Sequence, residues 1–168
     1  MASCFKLLAQ AIIGHVLRGL GTKLMSTYHS WDLEIPHAAS TVRVEIKTCS
    51  TTQARRTASA EPKAWGCGPI ASVWDAEHVA FVRRPQHRPA HLYIFVRRDG
   101  DVFDAASYTA LTISTTELEA LLDSPSRKEI SRARLLRDHS FVSLNELPAV
   151  VTTAMGRLAR EAAASVGL

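Results

Sequence analysis

Trp31-Asp32-Leu33-Glu34-Ile35 and Val42-Arg43-Val44-Glu45-Ile46-Lys47-Thr48 both alternate apolar and charged residues with a period of two. That is the spacing of a β-strand with one dry and one wet face. In the first stretch Trp31, Leu33 and Ile35 share a face, and Asp32 and Glu34 take the other. In the second, Val42, Val44 and Ile46 oppose Arg43, Glu45 and Lys47. The segment from Pro36 to Ser40 is turn-prone, so strands at about 30–35 and 41–49 are expected to pair. Pairing gathers the Asp32, Glu34 and Glu45 carboxylates and the Lys47 ammonium on one patch. Such a patch can hold a hard divalent cation beside a phosphate.

Outward from this hairpin the chain reads as one α/β domain, borderline α+β, with a mixed central sheet flanked by helices. Phe5, Leu8, Ile12, Val16 and Leu20 fall at helical spacing, and Gly19 and Gly21 supply a stop. An amphipathic N-terminal helix at about 5–20 is therefore expected. Between residues 50 and 90 the pattern is broken by Gly66-Cys67-Gly68-Pro69, Pro85 and Pro89. Short extended pieces fit Ile70–Trp74 and Val79–Val82. Leu92-Tyr93-Ile94-Phe95-Val96 is an unbroken apolar run of strand length, as a central strand covered on both faces requires. Asp99-Gly100 makes a turn, Tyr108–Ile113 is the next strand, and Thr115 or Thr116 is read as the cap of a helix through Leu122. A further strand is read at 128–136. Ser143 with Glu146 spells a capping box for a final helix at about 144–164, with Pro148 tolerated near its first turn.

The length of 168 residues leaves room for a full core, and 46% hydrophobic with 21% charged residues excludes a mainly disordered chain. Three cysteines (Cys4, Cys49, Cys67) are too few and too scattered for a disulfide framework or a zinc site. A reducing, cytoplasmic setting follows as the default. No apolar run is long enough to span a membrane. The first 31 residues hold Lys6, Arg18 and Lys23 without an acid, a composition like that of a transit peptide, but the helical reading takes precedence. Net charge is +4. Residues 54–98 carry Arg55, Arg56, Lys63, Arg83, Arg84, Arg88, Arg97 and Arg98 against Glu61, Asp75 and Glu77, and a second basic group is Arg127, Lys128, Arg132, Arg134 and Arg137. Dense arginine suits phosphate, because the guanidinium fork matches phosphate oxygens. A solvated basic surface is the simpler reading of the same residues.

Phosphodiester hydrolysis demands charge neutralisation at phosphorus, a hydroxide near neutral pH and a stabilised leaving alkoxide. Mg²⁺ or Mn²⁺ on carboxylate oxygens can provide all three. Asp32 and Glu45 are the candidate ligands, with the Ile46 carbonyl between Glu45 and Lys47 as a third donor. Lys47 is placed to orient the attacking water or steady developing negative charge. Glu34 is an extra ligand or a rim charge. The plain alternative is a surface ion pair of little energetic weight.

The order helix, Asp32, Glu45-x-Lys47 resembles the PD-(D/E)XK nuclease superfamily, and more narrowly a group of uncharacterised bacterial members. In that group a strand reading E-V-K-S-S is followed four residues later by glutamine. The equivalent here is Glu45-Ile46-Lys47-Thr48-Cys49-Ser50-Thr51-Thr52-Gln53. Ser72–Trp74, Leu92–Val96, Tyr108 through Ser114-Thr115-Thr116-Glu117-Leu118, and Phe141–Leu147 also match, so the likeness spans roughly 10–150. It implies a restriction-endonuclease-like core, a DNA substrate, Mg²⁺ or Mn²⁺, and a catalytic set of Asp32, Glu45 and Lys47. It also implies an accessory role for Gln53. Arg55, Arg56, Arg83 and Arg84 are the candidate DNA contacts. A homodimer is compatible with the resemblance, and a partner methyltransferase is not legible. Departures stand out: Trp31 replaces the proline before the acid, and His91 stands where relatives often carry an acid. His15 stands on the first helix, which often offers a glutamate, and is read as a packed histidine with metal ligation as the alternative. These departures keep two other readings open, a catalytically inactive nucleic-acid-binding domain on the same fold and a structural or interaction module.

Overall fold

In the computed structural model the described residues are 4–26, 29–48, 64–75, 77, 79–101, 103–124 and 126–166, with 4, 70–74, 81–86 and 166 described by backbone alone. The alternating stretches form a hairpin. After a short strand β1 (Lys23–Leu24), β2 spans Leu33–His37 and β3 spans Ser40–Thr48. Leu33 pairs with Val44 and Ile35 with Val42, and a two-residue turn at Ala38–Ala39 sets that register. Ala38 adopts a φ of 51°, a left-handed conformation unusual for a residue with a Cβ.

Trp31 departs from the expected alternation. Because β2 begins only at Leu33, the period of two does not extend back to it. Its ring packs with the opposite core layer from Leu33 and Ile35, and it sits under the Arg43 guanidinium at 5.1 Å.

Downstream come β4 (Ala64–Gly66), β5 (Ile70–Asp75), β6 (Ala80–His87), β7 (Leu92–Arg98), β8 (Tyr108–Ser114), β9 (Glu129–Ser131) and β10 (Val142–Ser143). The helices are α1 (Cys4–Val16), α2 (Thr115–Leu121), α3 (Arg132–Leu135) and α4 (Leu147–Val166). Six strands make one mixed sheet in the order β1-β2-β3-β7-β8-β10, with β3 and β7 parallel and the other neighbours antiparallel. Two small antiparallel pairs, β4 with β9 and β5 with β6, stand apart from it.

The apolar run at β7 lies at the centre of this sheet, and Leu92 through Val96 are all buried. On one face Ala9, Ile13 and Leu17 meet Leu147, Val151 and Ala154 of α4 over Leu33, Ile35, Val44, Ile46, Leu92 and Ile94. On the other, Trp65, Leu118, Ile130 and Leu135 cover Tyr93, Phe95, Leu111 and Ile113. Both faces are dry at β7, which explains why its sequence shows no alternation. Full burial of each such side chain is worth about 1.5–3 kcal/mol.

Four boundaries differ from expectation. The N-terminal helix stops at Val16 and gives way to a 3-10 turn at Arg18–Leu20, closed by Gly21 with φ of 74°. The cap of α2 is Ser114, whose hydroxyl accepts the Glu117 N–H while Glu117 reaches back, so the box begins one residue before Thr115. The stretch 128–136 is a three-residue strand and then a helical turn, because Ser131 caps α3 by accepting the Arg134 N–H. The Ser143–Glu146 pair is present, with Ser143 Oγ donating to Glu146 Oε2 at 2.7 Å, but α4 itself starts at Leu147.

Candidate functional site

Asp32 sits just before β2 and continues its pairing: its N–H donates to the Val44 carbonyl at 2.9 Å. Its carboxylate folds back onto β3, where Oδ2 accepts the Ile46 N–H at 2.7 Å. Strand geometry points the N–H and C=O of one residue to the same side. The Ile46 carbonyl therefore also faces the Asp32 edge. Glu45 and Lys47 leave β3 on the opposite face from Val44 and Ile46, and Lys47 Nζ lies 2.6 Å from Glu45 Oε1. Across the parallel pairing Glu45 stands beside Tyr93 and Lys47 beside Phe95. Asp32, Glu45 and Lys47, three of the candidate residues, are thus brought to one place.

Two residues that the sequence reading did not single out complete the cluster. Gln10 Nε2 donates to Asp32 Oδ1. Lys6 Nζ lies 3.3 Å from Asp32 Oδ1 and 3.6 Å from Glu45 Oε1, bridging the two acids. Lys6 and Gln10 are one helical turn apart on α1, the spacing that puts side chains on one face. A polar pair at that spacing on a largely apolar helix was the available signal.

The cluster is charge-balanced and only lightly wetted: the side chains of Asp32 and Glu45 are 10% and 11% exposed. Burial pushes the Glu45 carboxyl above its usual range and the Asp32 charge adds to this, while Lys47 and Lys6 pull the other way. For Lys6, burial opposes the charged form, but the Glu45 and Asp32 charges outweigh it and hold the ammonium above its usual range. Burial and the Glu45 charge raise the Tyr93 phenol too.

The remaining candidates lie elsewhere. Glu34 accepts the Trp31 indole N–H at 3.1 Å and belongs to the wall of the hairpin. His15 is not packed in the core. It is exposed, with its ring nitrogens 3.3 and 3.4 Å from the Arg18 guanidinium. Gln53, Arg55 and Arg56 lie outside the described residues. Arg83 and Arg84 belong to β6, on the separate β5–β6 pair, where only the backbone is described. His91 braces the hairpin: its Nδ1 accepts the Arg43 N–H at 3.1 Å and its Nε2 is 2.8 Å from that guanidinium.

Several arginines of the two basic groups serve the fold. Arg88 has a side chain 1% exposed and donates to the carbonyls of Cys67 and Arg127, at 3.0 Å each, and to Glu119. Arg127 and Arg134 both pair with Asp123. Arg97 and Arg98 lie over Phe141 and Phe5.

The oxygen donors at the cluster are two carboxylates and the outward Ile46 carbonyl. Among the described residues no group of three or more His, Cys, Asp or Glu side chains could hold a metal ion. Mg²⁺ commonly takes one or two carboxylates and keeps several waters, so the donor chemistry fits it. The Lys6 ammonium stands between the two carboxylates, 3.3 Å from Asp32 Oδ1 and 3.6 Å from Glu45 Oε1. No helix among the described residues is long and apolar enough to cross a membrane. No family model, no curated protein and no solved structure matches the chain.

Proposed function

We propose that the protein is a divalent-cation-dependent phosphodiesterase acting on DNA, built on a restriction-endonuclease-like core. The observation that carries this reading is the convergence of Asp32 Oδ1 and Glu45 Oε1 on the Lys6 ammonium, with Lys47 Nζ 2.6 Å from the same Glu45 oxygen. An N-terminal helix, an acid at the head of one strand, Glu-x-Lys on the next and a parallel central strand form the scaffold that such a site needs.

Asp32 and Glu45 would hold Mg²⁺ or Mn²⁺, with the Ile46 carbonyl as a third donor. When bound, the ion supplies a Lewis acid for the phosphoryl oxygens and a water acidic enough to ionise near neutral pH. Asp32 is fixed for this role by the Ile46 N–H and by Gln10. Glu45 is held by Lys47, whose ammonium is also positioned to orient water and to stabilise charge building on the phosphate. Tyr93 and Phe95 beside this pair keep water out of one side, which strengthens each charge interaction.

The test is cleavage of single-stranded and duplex DNA with Mg²⁺ or Mn²⁺. The wild type should cut, and Asp32→Asn, Glu45→Gln and Lys47→Ala should each reduce the rate at least about 100-fold. A wild-type protein inert on every DNA and RNA form with either metal would overturn the reading.

The Lys6 bridge favours one alternative, a non-catalytic nucleic-acid-binding domain whose acids are permanently neutralised by lysines. Metal-independent DNA binding that weakens steeply with salt, without cleavage, selects it.

A further inference from the structure

The acid cluster contains one cation more than a Glu-x-Lys site requires. Lys47 pairs with Glu45 at 2.6 Å, whereas Lys6 reaches oxygens of both acids, at 3.3 and 3.6 Å. We propose that the Lys6 ammonium is a built-in occupant of the cation gap, so that a divalent ion binds Asp32 and Glu45 only by displacing it. The inference rests on the metal-dependent reading above and adds a latch to that site.

Three features make the ammonium a displaceable occupant instead of a fixed strut. Lys6 is in the first turns of α1, while Ala9, Ile13 and Leu17 anchor the helix to the core, so its side chain can leave without moving them. The side chain is 29% exposed, against 10% and 11% for the acids it bridges, so it has a path to water. Asp32 does not depend on Lys6 for its orientation, because the Ile46 N–H and Gln10 still hold both carboxylate oxygens. A lysine stem is flexible and its ammonium is a compact charge that water solvates well, so the released group is stable in solvent. Until displaced, the ammonium offsets the charge of the two buried carboxylates, at 3.3 and 3.6 Å.

The experiment is calorimetric titration of Mn²⁺ alone into the full chain and into Lys6→Met, Lys6→Gln and Lys6→Arg, with far-ultraviolet dichroism confirming the fold of each. Removing the competing charge should tighten Mn²⁺ binding roughly tenfold or more in Lys6→Met and in Lys6→Gln, the milder change should Met prove unstable. Lys6→Arg, which keeps the charge, should bind as weakly as the wild type. Equal Mn²⁺ affinity in wild type and the neutral variants would overturn the latch and leave the metal site standing. Weaker binding in the neutral variants would overturn it as well, by making Lys6 a support. If neither wild type nor any folded Lys6 variant binds Mn²⁺, the metal-dependent reading itself falls, and the latch with it.

Discussion

Replacing Asp32 should damage the fold as well as any chemistry, and the size of the damage can be worked from its contacts. In Asp32→Ala the Ile46 N–H, now 2.7 Å from Oδ2, loses its acceptor at a buried position, costing about 1–3 kcal/mol. Gln10 and Lys6 lose a charged acceptor too, although Lys6 keeps Glu45 at 3.6 Å and the repulsion between the two acids disappears. The net expectation is a loss of about 2–4 kcal/mol. Asp32→Asn differs because its carboxamide oxygen can still accept the Ile46 N–H, and the Gln10 amide can turn to accept from the new NH₂ group. That variant should lose only about 1 kcal/mol. Urea unfolding followed by far-ultraviolet dichroism measures both, with the midpoint shift converted through an unchanged slope. If Ala and Asn prove equally stable to within about 0.5 kcal/mol, the assignment of Asp32 as the acceptor that organises Ile46 is wrong. The practical corollary is that activity lost in Asp32→Ala cannot be credited to chemistry, whereas activity lost in Asp32→Asn can.

Burial first, and the Arg43 guanidinium second, hold the His91 imidazole below its usual range. The unfolded chain therefore binds this proton more readily, so the stability contributed by neutral His91 is complete above about pH 6.5 and is lost as pH falls through the lower folded value. His91→Gln, which keeps an acceptor for the Arg43 N–H, should flatten the stability profile from neutrality downward, and parallel wild-type and variant profiles there would contradict this. Ala38 carries a left-handed φ of 51° in the β2–β3 turn, so Ala38→Gly should stabilise by about 0.5 kcal/mol once glycine's greater freedom in the unfolded chain is discounted. A thermal melt should show a rise of about 1–2 °C, and a fall would mean the turn does not hold that conformation in solution.

The parts of the fold legible in the sequence were those with a strong period. Leu33, Ile35, Val42, Val44 and Ile46 announced a half-buried hairpin, and Leu92–Val96 a strand covered on both faces. The Glu45–Lys47 pair followed from the same alternation on β3, whereas Asp32 joins it from just before β2 by folding its carboxylate onto the Ile46 N–H. Reading failed where the local rule had run out. Trp31 lies outside the strand, so the period of two said nothing reliable about its direction. The cap was read at Thr115 or Thr116, whereas the partner at Glu117, three residues on, selects Ser114. Lys6 and Gln10 were missed because their relation to Asp32 is purely tertiary, depending on how α1 lies against the hairpin. His15 failed for the opposite reason: an apolar helix suggested a packed histidine, while its place on the helix leaves it exposed beside Arg18.

The parallel pairing of β3 with β7 has a consequence for the order in which the molecule assembles. The β2–β3 hairpin needs only a two-residue turn, and Lys6, Gln10, Asp32, Glu45 and Lys47 all precede the end of β3. β7 must instead be brought back across residues 49–91, and loop-closure entropy has to be met before that pairing yields any contact. Topology therefore favours assembly of the acids and their ammoniums while the hairpin is still wet. Tyr93 and Phe95 arrive afterwards over charges that are already matched, and the chain escapes the large cost of drying isolated carboxylates.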